Sequence, residues 1–145
     1  MVTAPAPKAI KHELTLFRQQ EEFVEDGSPF LAVVSGIRGG KTRAGAIKLL
    51  QYVVKWPGAL VMVTAPTFPM IRDATLRAVN DVFPKGYIRS FNESKMIMAL
   101  RNGSEILFRS TEDPEHLRGP TLAVGWMDEG ARSSEESFKV VLGRL

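Results

Sequence analysis

The sequence has 145 residues, 44% of them hydrophobic and 24% charged, a balance typical of globular chains and a length that supports one domain and not two. It contains no cysteine, which excludes disulfides, thiolate nucleophiles and Cys-ligated zinc, and its 19 Lys+Arg against 16 Asp+Glu leave a net charge of +3, a weak pull toward anionic partners. No apolar run approaches the length of a membrane span and the start lacks a signal-peptide core, so the expected setting is soluble and intracellular, with no membrane partner.

The first residues are rich in Pro and Ala, so residues 1–12 are expected to form a flexible tail and residues 13–145 the folded domain. Between His12 and Glu25, Leu16, Gln20, Phe23 and Val24 recur at helical spacing, and Asp26-Gly27-Ser28-Pro29 ends that helix. The Gln20 amide carries both a donor and an acceptor, the pair that the edge of adenine presents, but the same side chain suits a solvated helix position equally well.

Leu31 to Val34 is a short apolar, β-branched run that predicts a strand. It leads into Ser35-Gly36-Ile37-Arg38-Gly39-Gly40-Lys41-Thr42 and then into a helix reaching about Val54, before the breakers Pro57 and Gly58. Strand, glycine-rich turn and helix is the arrangement that holds a polyphosphate: loop N–H groups point inward and the helix N-terminus adds partial positive charge. Lys41 would reach the β- and γ-phosphate oxygens, and the Thr42 hydroxyl would sit on the bridging Mg²⁺. Ser35 occupies the first glycine position of the usual pattern, with Gly36 following one residue later.

Ala59 to Thr64 predicts a second buried strand, and Met70 to Phe83 a helix on which Arg72 and Arg77 either touch DNA phosphates or simply face solvent. Tyr87 to Phe91 is a short strand. Residues 95–100 and 105–110 flank Asn102-Gly103, the signal for a two-residue hairpin turn, so an antiparallel hairpin at about 95–109 joins a mostly parallel sheet. His116 has no second His or Cys near it in sequence and is not expected to bind metal. Leu122 to Met127 is an apolar strand delivering Asp128 and Glu129 at its C-terminal end, where ligands sit in open α/β sheets. Asp128 is placed to hold Mg²⁺ through its water shell, and Glu129 to orient and deprotonate an attacking water. Ser133-Ser134 followed by Glu135-Glu136 opens a last helix through Phe138, Val141 and Leu142.

Taken in order, Gln20, Ser35 to Thr42, Thr64-Ala65-Pro66-Thr67-Phe68-Pro69, Leu117-Arg118-Gly119 and Met127-Asp128-Glu129-Gly130-Ala131 resemble the N-terminal ATPase domain of the large terminase subunit of tailed bacteriophages, the motor that packages DNA. The resemblance spans about residues 14–145. It implies a P-loop NTPase fold of the RecA/ASCE-like kind, an α/β architecture with helices flanking the sheet. It implies ATP and Mg²⁺ as cofactors, with Gln20 on adenine, residues 35–42 around the phosphates, Thr42 and Asp128 on the metal, and Glu129 as the catalytic carboxylate. Members of the family typically carry an arginine four residues before the loop lysine; here Ile37 holds that place and Arg38 comes one position late. Arg118 is similar to the arginine inserted into a neighbouring subunit's site, with local carbonyl bonding as its other reading and Arg132 as the second candidate for the trans-acting role.

The resemblance further implies double-stranded DNA, a portal protein and the small terminase subunit as partners, a homo-oligomeric ring, and a place in the cytoplasm of the infected bacterium and transiently at the procapsid portal vertex. The family continues past the Asp-Glu strand into another sheet strand and a nuclease domain, both absent from this sequence, so no nuclease activity is expected and hydrolysis by this chain alone is expected to be weak. Two rivals remain open: a helicase-like or DNA-repair P-loop ATPase, and a nucleotide-binding assembly module that is catalytically incomplete.

Overall fold

The computed structural model describes residues 11–36 and 40–145. A five-stranded sheet has the order β2-β3-β4-β1-β5, with β1 Leu60–Ala65, β2 Ile88–Asn92, β3 Ile97–Leu100, β4 Glu105–Ser110 and β5 Val124–Met127. β1 lies between β4 and β5 and runs parallel to both, while β3 pairs antiparallel with β4 and with β2. This is the expected α/β sheet with an antiparallel hairpin attached.

Strand alternation sorts the core onto two faces. Val61, Val63 and Ala65 of β1 and Ile106 and Phe108 of β4 face helix α2 (Lys41–Lys55) and helix α4 (Leu76–Val82), which contribute Ala46, Ile47, Leu49, Val53, Val79 and Val82. Met62 and Leu107 face the other way, against Leu117, Leu122 and helix α5 (Glu135–Leu142) through Val140 and Val141. Each such large apolar side chain removed from water contributes roughly 1.5–3 kcal/mol, which makes the paired strands β1 and β4 the anchor of the fold. At α5, the Ser134 hydroxyl caps the helix by accepting from the Ser137 backbone N–H at 3.1 Å, as its sequence signature predicts.

Helix α2 is buried on most of its circumference, and two residues explain how it fits. At Gly45, a β-carbon would lie 2.4 Å from the Trp126 ring of β5. Gly45→Ala is therefore expected to destabilise by about 1–3 kcal/mol through overpacking, outweighing the helix-propensity gain of about 1 kcal/mol. Urea unfolding of the two proteins checks the sign. Lys48, only 6% exposed, donates from Nζ to the carbonyls of Val24 and Asp26, at the end of helix α1 (Arg18–Glu25), and lies over the rings of Phe23 and Tyr52. One buried cation thus satisfies carbonyls that the end of α1 leaves unpaired.

Three local expectations are corrected. Leu31 to Val34 is irregular rather than a strand, and Val34 is 96% exposed. A strand needs a hydrogen-bonding neighbour, and among the described residues β5 pairs only with β1, so local β preference has no ladder to join. The helix expected from residue 70 to 83 is interrupted: the short α3 (Phe68–Met70) passes through a π-helical turn at Ile71–Thr75 before α4. The β3–β4 turn is a three-residue loop: Leu100 N–H bonds Ser104 O, Gly103 N–H bonds Leu100 O, and Gly103 has φ +87°. That is a type I turn closed by a left-handed glycine, the next commonest hairpin after the two-residue one.

Candidate functional site

The C-terminal ends of β1 and β5 lie side by side, Thr64 opposite Met127, and the Asp128 N–H donates to Thr64 O at 2.8 Å. This extends the parallel pairing one residue past β5 and fixes where the Asp128 carboxylate leaves the sheet. The N-terminus of α2 faces it from one side and the π-helical turn from the other. The Thr42 hydroxyl straddles the carboxylate, 3.1 Å from Oδ1 and 3.2 Å from Oδ2, and the Thr75 hydroxyl donates to Oδ2 at 2.8 Å. Asp128 is 7% exposed. Burial pushes its carboxyl above the ordinary carboxylate range, the hydroxyls of Thr75 and Thr42 pull it back, and the neighbouring Glu129 charge adds to the rise.

Glu129 is exposed and holds a left-handed backbone, φ 51° and ψ 38°, at the entry to a 3₁₀ turn at Gly130–Arg132. Such a conformation at a residue with a side chain costs of order 1–3 kcal/mol, and here it directs the carboxylate into the same cleft. The cleft, about 240 Å³, is lined by Thr42, Thr75, Asp73, Asp128 and Glu129 together with Ala65 and the Pro69-Met70 corner.

The glycine-rich loop before α2 is described at its two ends; Ile37, Arg38 and Gly39 lie outside the described residues. Gly40 has φ +71°, and a β-carbon there would lie 2.5 Å from Gln20 Nε2. Both backbone and space therefore demand glycine where α2 begins. Gln20, 5% exposed, donates from Nε2 to Gly40 O at 3.1 Å and accepts the Phe17 N–H at 3.0 Å on Oε1. One amide N–H and the carbonyl oxygen are engaged within the protein, so in this arrangement Gln20 buttresses the start of α2. Lys41 Nζ donates to the carbonyls of Ser35 at 3.0 Å and Gly36 at 3.3 Å.

Of the residues singled out in the sequence, Thr42, Asp128 and Glu129 meet in one cleft, with Lys41 next to Thr42 at the start of α2. Arg118 is not among the cleft's lining residues; its Nε bonds Glu115 Oε1 at 2.8 Å on an exposed 3₁₀ turn. Arg132 is exposed and likewise does not line the cleft.

Thr75 and Asp73 have no motif to announce them. The signal for Thr75 was its place on a buried helical stripe with Ile71 and Val79, a hydroxyl where an apolar residue is the rule.

The donor set fits Mg²⁺. Among the described residues no three His, Cys, Asp or Glu side chains converge to cage a metal. One hydroxyl and one carboxylate, with water and phosphate oxygens completing an octahedron, is how Mg²⁺ is held at phosphoryl-transfer sites.

A family model described as terminase large subunit, T4likevirus-type, N-terminal, matches residues 33–143. Among solved structures, the large terminase of a thermophilic bacteriophage is similar with a TM-score of 0.72 at 15% identity, over 90% of this chain and 36% of that one. The large terminase ATPase domain of Thermus phage P74-26 gives 0.51 at 21% identity, over 75% of this chain and 53% of that one. An arginine-to-alanine variant of that domain gives 0.54 at 20% identity with the same coverage. At these identities the likeness speaks for the fold, and the chain spans only 36% and 53% of the lengths of those structures. No curated protein matches the sequence. With the family model covering most of its length, from the glycine-rich loop through the last helix, the chain belongs to the terminase large subunit family, as its N-terminal part of the T4-like virus type.

Proposed function

We propose that residues 13–145 act as the ATPase domain of a viral DNA-packaging motor that hydrolyses Mg-ATP to drive double-stranded DNA into a procapsid. The observation that carries this reading is the Asp128 carboxylate held between the Thr42 and Thr75 hydroxyls, with Glu129 on the same cleft. Mg-ATP, when bound, supplies the phosphoryl group and a divalent charge that screens its oxygens. Thr42 and Asp128 would hold the ion, and Glu129 would orient and deprotonate the attacking water. Lys41 would exchange the Ser35 and Gly36 carbonyls for phosphate oxygens, a stronger charge-assisted pairing. Gln20 would reach adenine by giving up its contacts to Gly40 and Phe17. Arg38, one position later in the loop than the family's usual arginine, would lie with residues 35–42 around the phosphates.

Arg118, exposed and outside its own cleft, would act on a neighbour's site in a homo-oligomeric ring once released from Glu115, with Arg132 as the second candidate. Portal protein and small terminase subunit would be the partners, at the procapsid vertex in the cytoplasm of the infected bacterium. No helix among the described residues is long and apolar enough to cross a membrane.

The test is Mg²⁺-dependent ATP hydrolysis measured against protein concentration. A ring motor requires turnover to rise more steeply than linearly, and Arg118→Ala to abolish that steepness. Linear turnover that is indifferent to Arg118→Ala would remove the trans-acting arginine from the scheme. ATP bound but never hydrolysed would instead favour the assembly-module reading, for which the self-satisfied Lys41 is the supporting observation. Turnover stimulated by single-stranded DNA over duplex would favour the helicase-like one.

A further inference from the structure

A second cavity, about 510 Å³, opens beside the first and shares no lining residue with it. Arg72, Lys95, Arg109 and His116 line it, with Phe68 giving it an apolar wall and Glu93 as its one carboxylate. Its walls are pinned. Asn92 Oδ1 accepts from the Lys95 N–H and the Ser94 hydroxyl, both at 2.9 Å, and the Phe108 N–H bonds Met96 O at 2.9 Å. Met96 completes this β2–β3 turn in a left-handed conformation, φ 53°, although it is a buried residue with a long side chain. Strain of that kind persists only where the surroundings impose it.

Arg109 is the centre of the cavity's charge. It is half-buried at the end of β4, and its Nη1 donates to the carbonyls of Lys95 at 3.1 Å and Phe108 at 2.8 Å. Nε and Nη2 have no hydrogen-bond partner among the described residues, and no carboxylate there forms an ion pair with Arg109, Arg72 or Lys95. Burial weakens the hold of Arg109 on its proton, the mark of a charge short of solvent and counter-ion. Three permanent cations against one carboxylate leave room for an anion presenting several oxygens, which guanidinium groups bind in forks.

We infer that this cavity binds a phosphodiester of a nucleic-acid backbone, with Arg109 at its floor, Arg72 and Lys95 on the oxygens from the rim, and Phe68 against the sugar. A singly charged diester suits a cavity that keeps Glu93 at its edge, and the arrangement lacks the glycine-rich backbone cradle that the polyphosphate loop offers. The choice of DNA as the backbone rests on the packaging function proposed above; the anion site itself does not.

The position has a consequence. Phe68 and Arg72 line this cavity, while Pro69, Met70, Asp73 and Thr75 line the nucleotide cleft, so one short helical segment with a π turn forms the wall between them. π turns are rare and are concentrated at functional sites. Here a single turn carries Arg72 toward the backbone and Thr75 onto Asp128.

The test is anisotropy of a short labelled DNA duplex titrated with the chain over a range of NaCl concentrations, with fluorescent-nucleotide binding measured alongside. Arg72→Gln combined with Lys95→Gln is expected to weaken duplex binding about tenfold at low salt and to flatten the log–log salt slope by about 2, one per lost phosphate contact. Nucleotide affinity should be unchanged. Glu93→Gln is expected to tighten duplex binding severalfold, a gain that misfolding cannot produce. Unchanged affinity and slope in the double variant, or no duplex binding by the parent chain at low salt, would overturn the assignment. Displacement of duplex by inorganic phosphate, beyond that by chloride at equal ionic strength, would reassign the site to free phosphate and overturn the diester. Loss of nucleotide binding by the parent chain would count against the ATPase reading and leave the duplex result to stand separately.

Discussion

Replacing Glu129 with glutamine is expected to lower ATP turnover by about 10²- to 10⁴-fold while nucleotide binding stays close to that of the parent. The substitution keeps side-chain length, and it keeps the left-handed backbone that aims residue 129 into the cleft. It removes one property, the capacity to take a proton from water. Thr42 and the Asp128 carboxylate are untouched, and with them the proposed metal position. The comparison therefore isolates base chemistry from binding, which a change at Lys41 or Thr42 would not. Single-turnover hydrolysis with nucleotide affinity measured on the same samples separates the two. If Glu129→Gln retained turnover, the base would have to be another carboxylate on the cleft, and Asp73 is the one that remains once Asp128 is assigned to the metal.

What could be read beforehand was local and chemical. Lys41 and Thr42 stood at the end of a glycine-rich turn, and Asp128 and Glu129 at the end of an apolar strand, so each pair was visible within its own short window of sequence. That the two windows face one another is seen in the Thr42 hydroxyl on the Asp128 carboxylate, at the carboxyl end of β5 where ligands sit in open α/β sheets. Residues whose role depends on a neighbour distant in sequence were not legible. Leu31 to Val34 has strand-forming residues but no adjacent strand, and propensity carries no information about that. Thr75 matters because it meets Asp128, 53 positions further along the chain, and inside a helix-period pattern a threonine says only that something polar is near. Gln20 was readable as an amide with two functions, yet which groups those functions engage was set by how α1 docks on the start of α2. Arg109 falls in the same class: a strand arginine in sequence, and the half-buried floor of a basic cavity once the β2–β3 turn folds over it.

Asp128→Asn is expected to abolish Mg²⁺-dependent turnover, by at least about 10²-fold, and at the same time to stabilise the fold at neutral pH. The stability half follows from the raised Asp128 pKa, and its sign can be worked through. The folded protein binds a proton at Asp128 more readily than the unfolded chain does, because burial opposes the charge and Glu129 reinforces that opposition. The contribution to stability is then fully present below the unfolded carboxylate value, about 3.9, and is lost as pH rises through the higher folded one. Above that point the fold carries an under-solvated charge that the Thr42 and Thr75 hydroxyls only partly offset. Asparagine keeps an oxygen for those hydroxyls and never ionises. Urea unfolding from neutral pH downward should therefore show the variant more stable than the parent at neutral pH, with the gap closing as Asp128 protonates. Carboxylates other than Glu129, whose charge bears on Asp128, titrate in both proteins and cancel in the difference. A gap that stayed constant with pH would mean that asparagine acts through packing, and a less stable variant at neutral pH would mean that the two hydroxyls outweigh burial. The expected outcome ties the two halves together: a charge that the fold would be more stable without is retained because the proposed metal requires it.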